Sequence, residues 1–272
     1  MKQGKIAGLA MAIFLGVFGW GYAGAEEAKP YTFEISPETY WFFYREPTLN
    51  VEWSGVMYGL RASFEPHFQE SPIMFRTEGR LSVGGVDYDG FLTSGAPHSD
   101  SGTDWFAETR GLLGYDLNVK EGTTLTPFLG IGYRYWFDNL QSANAYQRNV
   151  AYLYSPLGVE SRSRVGENWT WGIRAEYDFF WRGWVDSHLE DVNPLFSTAQ
   201  NTQDSGFGAR GSLYLSRAAG EGMAVSIEPY LRYWNIDVSD TTSITYAGAL
   251  VGSGYEPGNK TVEAGLQVSV LF

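Results

Sequence analysis

The sequence predicts an all-β protein: a ten-stranded antiparallel up-and-down transmembrane β-barrel, with short turns at one end and long loops at the other. Three observations predict it. Segment after segment alternates apolar with polar residues at a period of two, which is the period of a strand. The links between those segments alternate in length. Gly, Tyr, Phe and Trp are abundant, at 33, 18, 17 and 10 of 272 residues, whereas a helical period is absent after the N-terminal leader. That composition suits a barrel with aromatic girdles and a tightly packed interior.

The elements follow in order. Residues 1–25 read as a secretory signal peptide: Lys2 and Lys5 open it, Ile6 to Trp20 carries no charge, and Ala23-Gly24-Ala25 is a small-residue cleavage pattern. Residues 26–272 are then the mature barrel. Strand one covers Tyr31 to Glu46, and strand two covers Gly55 to Glu65, with Val56, Tyr58, Leu60, Ala62 and Phe64 on its apolar face. Strand three, Ile73 to Val86, has Arg76, Glu78, Arg80 and Ser82 on its polar face. Strand four, Asp104 to Leu117, places Phe106, Glu108, Arg110 and Gly114 inward.

Strand five runs from about Leu125 to Asp138, with Tyr133, Tyr135 and Phe137 outside and Gly130, Gly132, Arg134 and Asp138 inside. Strand six, Tyr146 to Arg164, turns Glu160 and Arg162 inward. Strand seven starts at Trp169 and alternates cleanly: Trp171, Ile173, Tyr177, Phe179 and Trp181 outside, Arg174, Glu176, Asp178 and Arg182 inside. Strand eight, Phe207 to Ser216, has Arg210 inside. Strand nine, Met223 to Ile236, has Glu228 and Arg232 inside, and its Pro229 requires a bulge or an unneeded amide. Strand ten, Thr261 to Phe272, is apolar at every even position from Val262 to Phe272.

Links after strands two, four, six and eight are short; those after three, five, seven and nine span 87–103, 139–145, 185–206 and 237–259. Short turns on the periplasmic side and long extracellular loops are the rule for outer-membrane barrels, and an even strand number returns both ends to the periplasm. An amphipathic last strand ending on an aromatic resembles the closing strand of bacterial outer-membrane barrels, which implies that Phe272 is part of the insertion signal read by the barrel-assembly machinery. The expected address is the outer membrane of a Gram-negative cell, in contact with lipid and lipopolysaccharide, as a monomer.

The formal charge of −12 argues against nucleic acid, and the acidic loops favour a cationic peptide or other surface ligand. Cysteine is absent, so neither a disulfide framework nor a thiolate metal site exists; no metal or cofactor is expected. Inside, Arg76, Glu78, Arg80, Glu108, Arg110, Arg134, Glu160, Arg174, Glu176, Arg210, Glu228 and Arg232 mix both signs. Buried charges persist only when paired. The expected interior is therefore a salt-bridged plug, with a narrow solute channel as an alternative.

Two short motifs stand at the loop end: Asp87-Tyr88-Asp89 leaving strand three and Asp186-Ser187-His188 leaving strand seven. On these spacings and on the strand layout the chain resembles the omptins, ten-stranded outer-membrane proteases. That resemblance implies an Asp186–His188 dyad in which the carboxylate orients the imidazole, with Asp87 and Asp89 holding a water between the pairs. Histidine titrates near neutrality and can take a proton from water once its tautomer is fixed. Continuing the parity of strand seven points Asp186 and His188 at the axis. Strict alternation in strand three throws Asp87 and Asp89 outward, so a bulge at Gly84-Gly85 is needed to bring them round. Two readings follow: a non-enzymatic surface or binding barrel of omptin-like architecture, or an omptin-type endopeptidase.

Overall fold

The structure, a computed structural model, describes residues 30–68, 71–91, 95–142, 145–220 and 222–272; the expected leader lies outside them. Fourteen strands form among these residues. They are β1 (Tyr31–Glu46), β2 (Val51–Pro66), β3 (Ile73–Phe91), β4 (Pro97–Tyr115), β5 (Leu117–Lys120), β6 (Thr123–Asp138) and β7 (Arg148–Val165). The second half holds β8 (Trp169–Ser187), β9 (Ala199–Gln203), β10 (Gly206–Gly220), β11 (Met223–Ile236), β12 (Thr241–Tyr246), β13 (Ala249–Tyr255) and β14 (Asn259–Leu271). Ten of them, β1, β2, β3, β4, β6, β7, β8, β10, β11 and β14, pair antiparallel in sequence order. β14 then pairs β1, with Ile35 opposite Val270 and Phe43 opposite Val262, so the sheet is closed. A closed sheet leaves no unpaired edge among its staves.

The alternation does what a barrel wall requires. Outward positions form an apolar band, for example Val56, Tyr58 and Leu60 on β2, Leu81 and Val83 on β3, and Ile227 and Leu231 on β11. Its loop-side edge carries Trp41, Trp105 and Trp181, and beyond it outward positions turn polar at Arg45, Glu52, Asp87 and Lys260. Such a band, flanked by aromatics, is the surface that hydrocarbon requires.

Four prolines sit inside these strands, each where a rung of the ladder is missing. Between β1 and β14 the pairing lapses at Pro37, between β6 and β7 at Pro156, and between β10 and β11 at Pro229. Pro127 falls in the gap between the pairings of β6 with β4 and with β5. A residue without an N–H belongs at such a place, and Pro229 needs no bulge.

The bore is layered. Near the end that holds Pro30 and Phe272, Met74, Leu112 and Phe128 make a small apolar floor. Above it lies a network of arginines and carboxylates. Higher still a larger cluster includes Tyr40, Phe42, Tyr44, Trp53, Met57, Phe106, Trp136, Tyr152, Tyr154, Phe180 and Trp234, all buried. Phe106 stacks on Trp136 at 5.6 Å and Trp53 meets Tyr44 edge-on at 5.0 Å, contacts that add roughly 0.5–1.5 kcal/mol each beyond burial.

Two loop expectations change. The segment 87–103 is mostly ribbon, because β3 runs to Phe91 and β4 starts at Pro97; pairing begun lower in the wall carries poor strand formers with it. The last long loop contains the β12–β13 hairpin, turned at Ala247 and Gly248, with φ of 51° and 83°. Two consecutive positive φ values mark the turn that matches strand twist.

Candidate functional site

The residues expected to form a dyad and a water-holding pair are placed on the outer face of the wall. β3 pairs with β2 and with β4 without any register shift, so the parity set by Arg76, Glu78 and Arg80 runs on unbroken. Val86, 2% exposed, faces inward, and Asp87 and Asp89 face outward. Asp89 lies opposite Glu52 and Ser99, and Ser99 Oγ donates to its Oδ1 at 2.7 Å. The bulge needed at Gly84-Gly85 does not form. Gly84 allows close strand packing instead: a Cβ there would sit 2.6 Å from Met57 Sδ.

The parity of β8 does break. Tyr154 of β7 pairs Phe180 while Leu153 pairs Arg182, a one-residue bulge at Trp181. Past a bulge every side chain changes face. Val185 and Ser187 therefore point inward and are buried, while Asp186 turns outward, where Gln200 Nε2 donates to its Oδ1 at 3.1 Å. His188 leaves the strand with both ring nitrogens occupied. Nδ1 lies 3.0 Å from Glu190 Oε1, and Nε2 lies 2.9 Å from Asn149 Nδ2. An amide donor at Nε2 assigns the ring proton to Nδ1, which donates to Glu190. Thr198 Oγ1 donates to the same Glu190 oxygen at 2.6 Å. Partial desolvation works against ionisation of this carboxyl, but the bonds from Thr198, its own backbone amide and His188 hold it below the usual carboxylate range. Strands β4, β6 and β7 separate the two acid pairs. The structure does not bring them together.

What it does bring together, just above the apolar band, is a group that alternation only partly reveals. Arg148 at the start of β7 sits inside the mouth. Its Nε donates to Asp138 Oδ2 at 3.1 Å, and its Nη1 to Glu256 Oε1 at 2.6 Å and Glu46 Oε1 at 3.2 Å. Its guanidinium carbon lies 4.8 Å from the Trp53 ring centre, 5.1 Å from Trp136 and 5.4 Å from Tyr44, a three-sided cation–π cage. Asp104, fully buried, accepts from Trp136 Nε1 at 2.8 Å and from the Asn139 amide at 3.3 Å. Burial, and then repulsion from Asp138, push the Asp104 carboxyl up to about 8. Burial, with Glu46 and Asp138 nearby, pushes Glu256 up to about 7 against the pull of Arg148. Burial likewise raises Asp138.

Below the mouth the interior charges are paired. Arg110 bonds Glu78 and Glu176, Arg76 and Arg174 share Glu160, and Arg210 bonds Glu108. Arg134, Arg80 and Arg232 converge on Glu263, Arg80 also bonds Glu38, and Glu228 accepts from Gln267. Glu38 and Glu263 are partners that the sequence-based network lacked, although both sit on the inward parity of their strands. The space left among Arg61, Arg110, Arg174 and Arg210 is a cavity of about 30 Å³, room for about one water. Among the described residues no group of His, Asp and Glu is arranged to hold a metal ion.

No protein-family model matches this sequence, and no curated protein sequence matches it. In fold the chain is similar to the outer membrane protease OmpT from Escherichia coli, with a TM-score of 0.60 at 10% identity, covering 91% of this chain and 99% of that one. Lower on the same scale are the translocator domain of the autotransporter NalP from Neisseria meningitidis (TM-score 0.45, 10% identity, 91% and 89% covered) and the transport unit of the autotransporter AIDA-I from Escherichia coli (0.44, 9%, 96% and 94%). The architecture is thus a closed ten-stranded antiparallel barrel of omptin-like design.

Proposed function

From a closed barrel of omptin-like design, we propose that this chain spans the outer membrane of a Gram-negative cell and serves at the surface as a structural or ligand-binding barrel, not as a peptidase or a pore. In this reading residues 1–25 are removed on export, residues 26–272 form one membrane domain, and the barrel acts as a monomer. Lipid and lipopolysaccharide meet the apolar band, the assembly machinery meets the closing strand with Phe272, and the loop end faces outside. The band and the likeness in fold to an outer-membrane protein support that address. The net negative charge of the chain favours a cationic peptide or similar ligand.

The filling of the bore carries the functional part. An aromatic layer lies over a paired charge network, and the cavity among Arg61, Arg110, Arg174 and Arg210 has room for about one water; this filling weighs against conduction. Against hydrolysis stand the outward Asp87, Asp89 and Asp186, and an imidazole whose nitrogens are both spent. A general base needs a free lone pair within reach of the water it deprotonates.

One preparation tests both points. Refolded protein with added lipopolysaccharide should cleave basic peptides no faster than the His188→Ala variant, and planar bilayers containing it should show no discrete conductance. Cleavage lost in His188→Ala would establish the peptidase reading, and regular current steps would establish a pore.

A further inference from the structure

We propose that the last loop, residues 237–258, is a proton-held clasp over the barrel mouth: Glu256 fastens it to Arg148 while the Asp104 and Glu256 carboxyls retain protons, and it lets go when they are lost.

The geometry has three parts. First, Glu256 joins both limbs of the loop to the wall. Its side chain accepts from Arg148 Nη1 at 2.6 Å, its amide donates to Ser239 Oγ at 2.7 Å, and its carbonyl accepts from the Ser239 amide at 3.0 Å. Second, the mouth is over-supplied with acid. Glu46 from β1, Asp104 from β4, Asp138 from β6 and Glu256 from the loop meet the single cation Arg148 from β7. Fully ionised, that group leaves three negative charges unmatched in a closed, mostly aromatic space. The next arginine inward, Arg134, is committed to Glu263. Unpaired buried charge is resolved by proton uptake or by movement into water. Third, Glu46, Asp104 and Asp138 are fixed by strand pairing, whereas Glu256 lies between β13 and β14. The rest of its loop is tied to residues 195–205 through Asp237, Asp240, Thr245 and Ala247, so Glu256 is the acid of the four that can withdraw.

The direction follows. The phenols of Tyr44, Tyr88, Tyr146 and Tyr152, which also border this group, have their proton loss raised by burial and stay neutral throughout. The titrating groups are then the carboxyls already pushed up to about 7 and about 8. As pH rises through that window each proton lost adds a negative charge around Arg148, and the charge is relieved by withdrawing Glu256. The Glu256 end of the loop is closed on Arg148 in acid and released in alkali.

The absence of cysteine allows a single nitroxide on Tyr255→Cys, exposed and beside Glu256. Its spectrum would be followed from about pH 5 to about pH 9, with the shift in gel mobility on heating as the check that the barrel stays folded. The ratio of mobile to immobile label should rise by up to about tenfold per pH unit above a midpoint near 7 to 8. Glu256→Gln keeps an oxygen for Arg148 but carries no charge, so its loop should stay immobile across the range. A constant spectrum in the parent protein would overturn the clasp. So would a Glu256→Gln variant that titrates at the same midpoint, or a loop that responds to added calcium and not to pH.

Discussion

At Arg148 one guanidinium answers three carboxylates from inside a cage of Tyr44, Trp53 and Trp136. Removing one partner from such a group costs more than the pair itself is worth, because the charges left behind stay buried. Arg148→Met should therefore lower stability by about 3–5 kcal/mol at neutral pH, read from urea unfolding in detergent. The loss should shrink in acid, where the carboxylates take up protons. In the parent protein the folded state binds protons at Asp104 and Glu256 more tightly than the unfolded chain, whose values are 3.8 and 4.5. Stability from these groups is thus fullest below about pH 4 and declines as pH climbs to about 7 and 8. Some of this was legible beforehand: strand parity alone turns Asp138 and Arg134 inward. Glu256 carried no such signal, since a loop has no period. Asp186 was misread for a third reason. The bulge at Trp181 is set by how β7 and β8 pair, and nothing in Phe180-Trp181-Arg182 marks it.

The strands themselves were the most legible elements. β1 and β11 have the bounds that alternation gives them, whereas β3 and β4 extend past the apolar band into residues rich in Ser, Gly and Asp, where pairing and not side-chain preference decides. The β12–β13 hairpin was missed because Ala247-Gly248 is a weak turn signal beside Asn-Gly. Abundant glycine was expected of a tightly packed interior, and several inward glycines are seats for rings. A Cβ on Gly132 would lie 2.3 Å from the Tyr154 ring, and one on Gly172 would lie 2.2 Å from Tyr214. The Tyr154 ring cannot retreat, because it is itself wedged against Trp234 at 5.1 Å. Gly132→Leu should overpack this site by about 1–3 kcal/mol or more, seen as a lower refolded fraction on heat-modifiability gels. Gly252→Leu, on β13 where an added Cβ meets nothing within 4 Å, should leave that fraction unchanged.

For the whole molecule, sidedness is the organising property: a greasy exterior, a charged and aromatic interior, and polar residues above the band. Reversing it at one point should be costly. Leu81→Arg, at a position 60% exposed on the outer face, should destabilise the barrel in lipid by about 2–4 kcal/mol if it lies near the bilayer midplane, with a much smaller effect in urea-containing detergent. The same sidedness sorts the indoles. Trp41, Trp105, Trp169, Trp171, Trp181 and Trp184 look outward, while Trp53, Trp136 and Trp234 are enclosed. Brominated acyl chains would darken the first set and spare the second. The light that survives then comes from the bore, and one of its three sources hydrogen-bonds Asp104 directly, so the colour of the residual fluorescence becomes a native gauge of whether that carboxyl holds its proton.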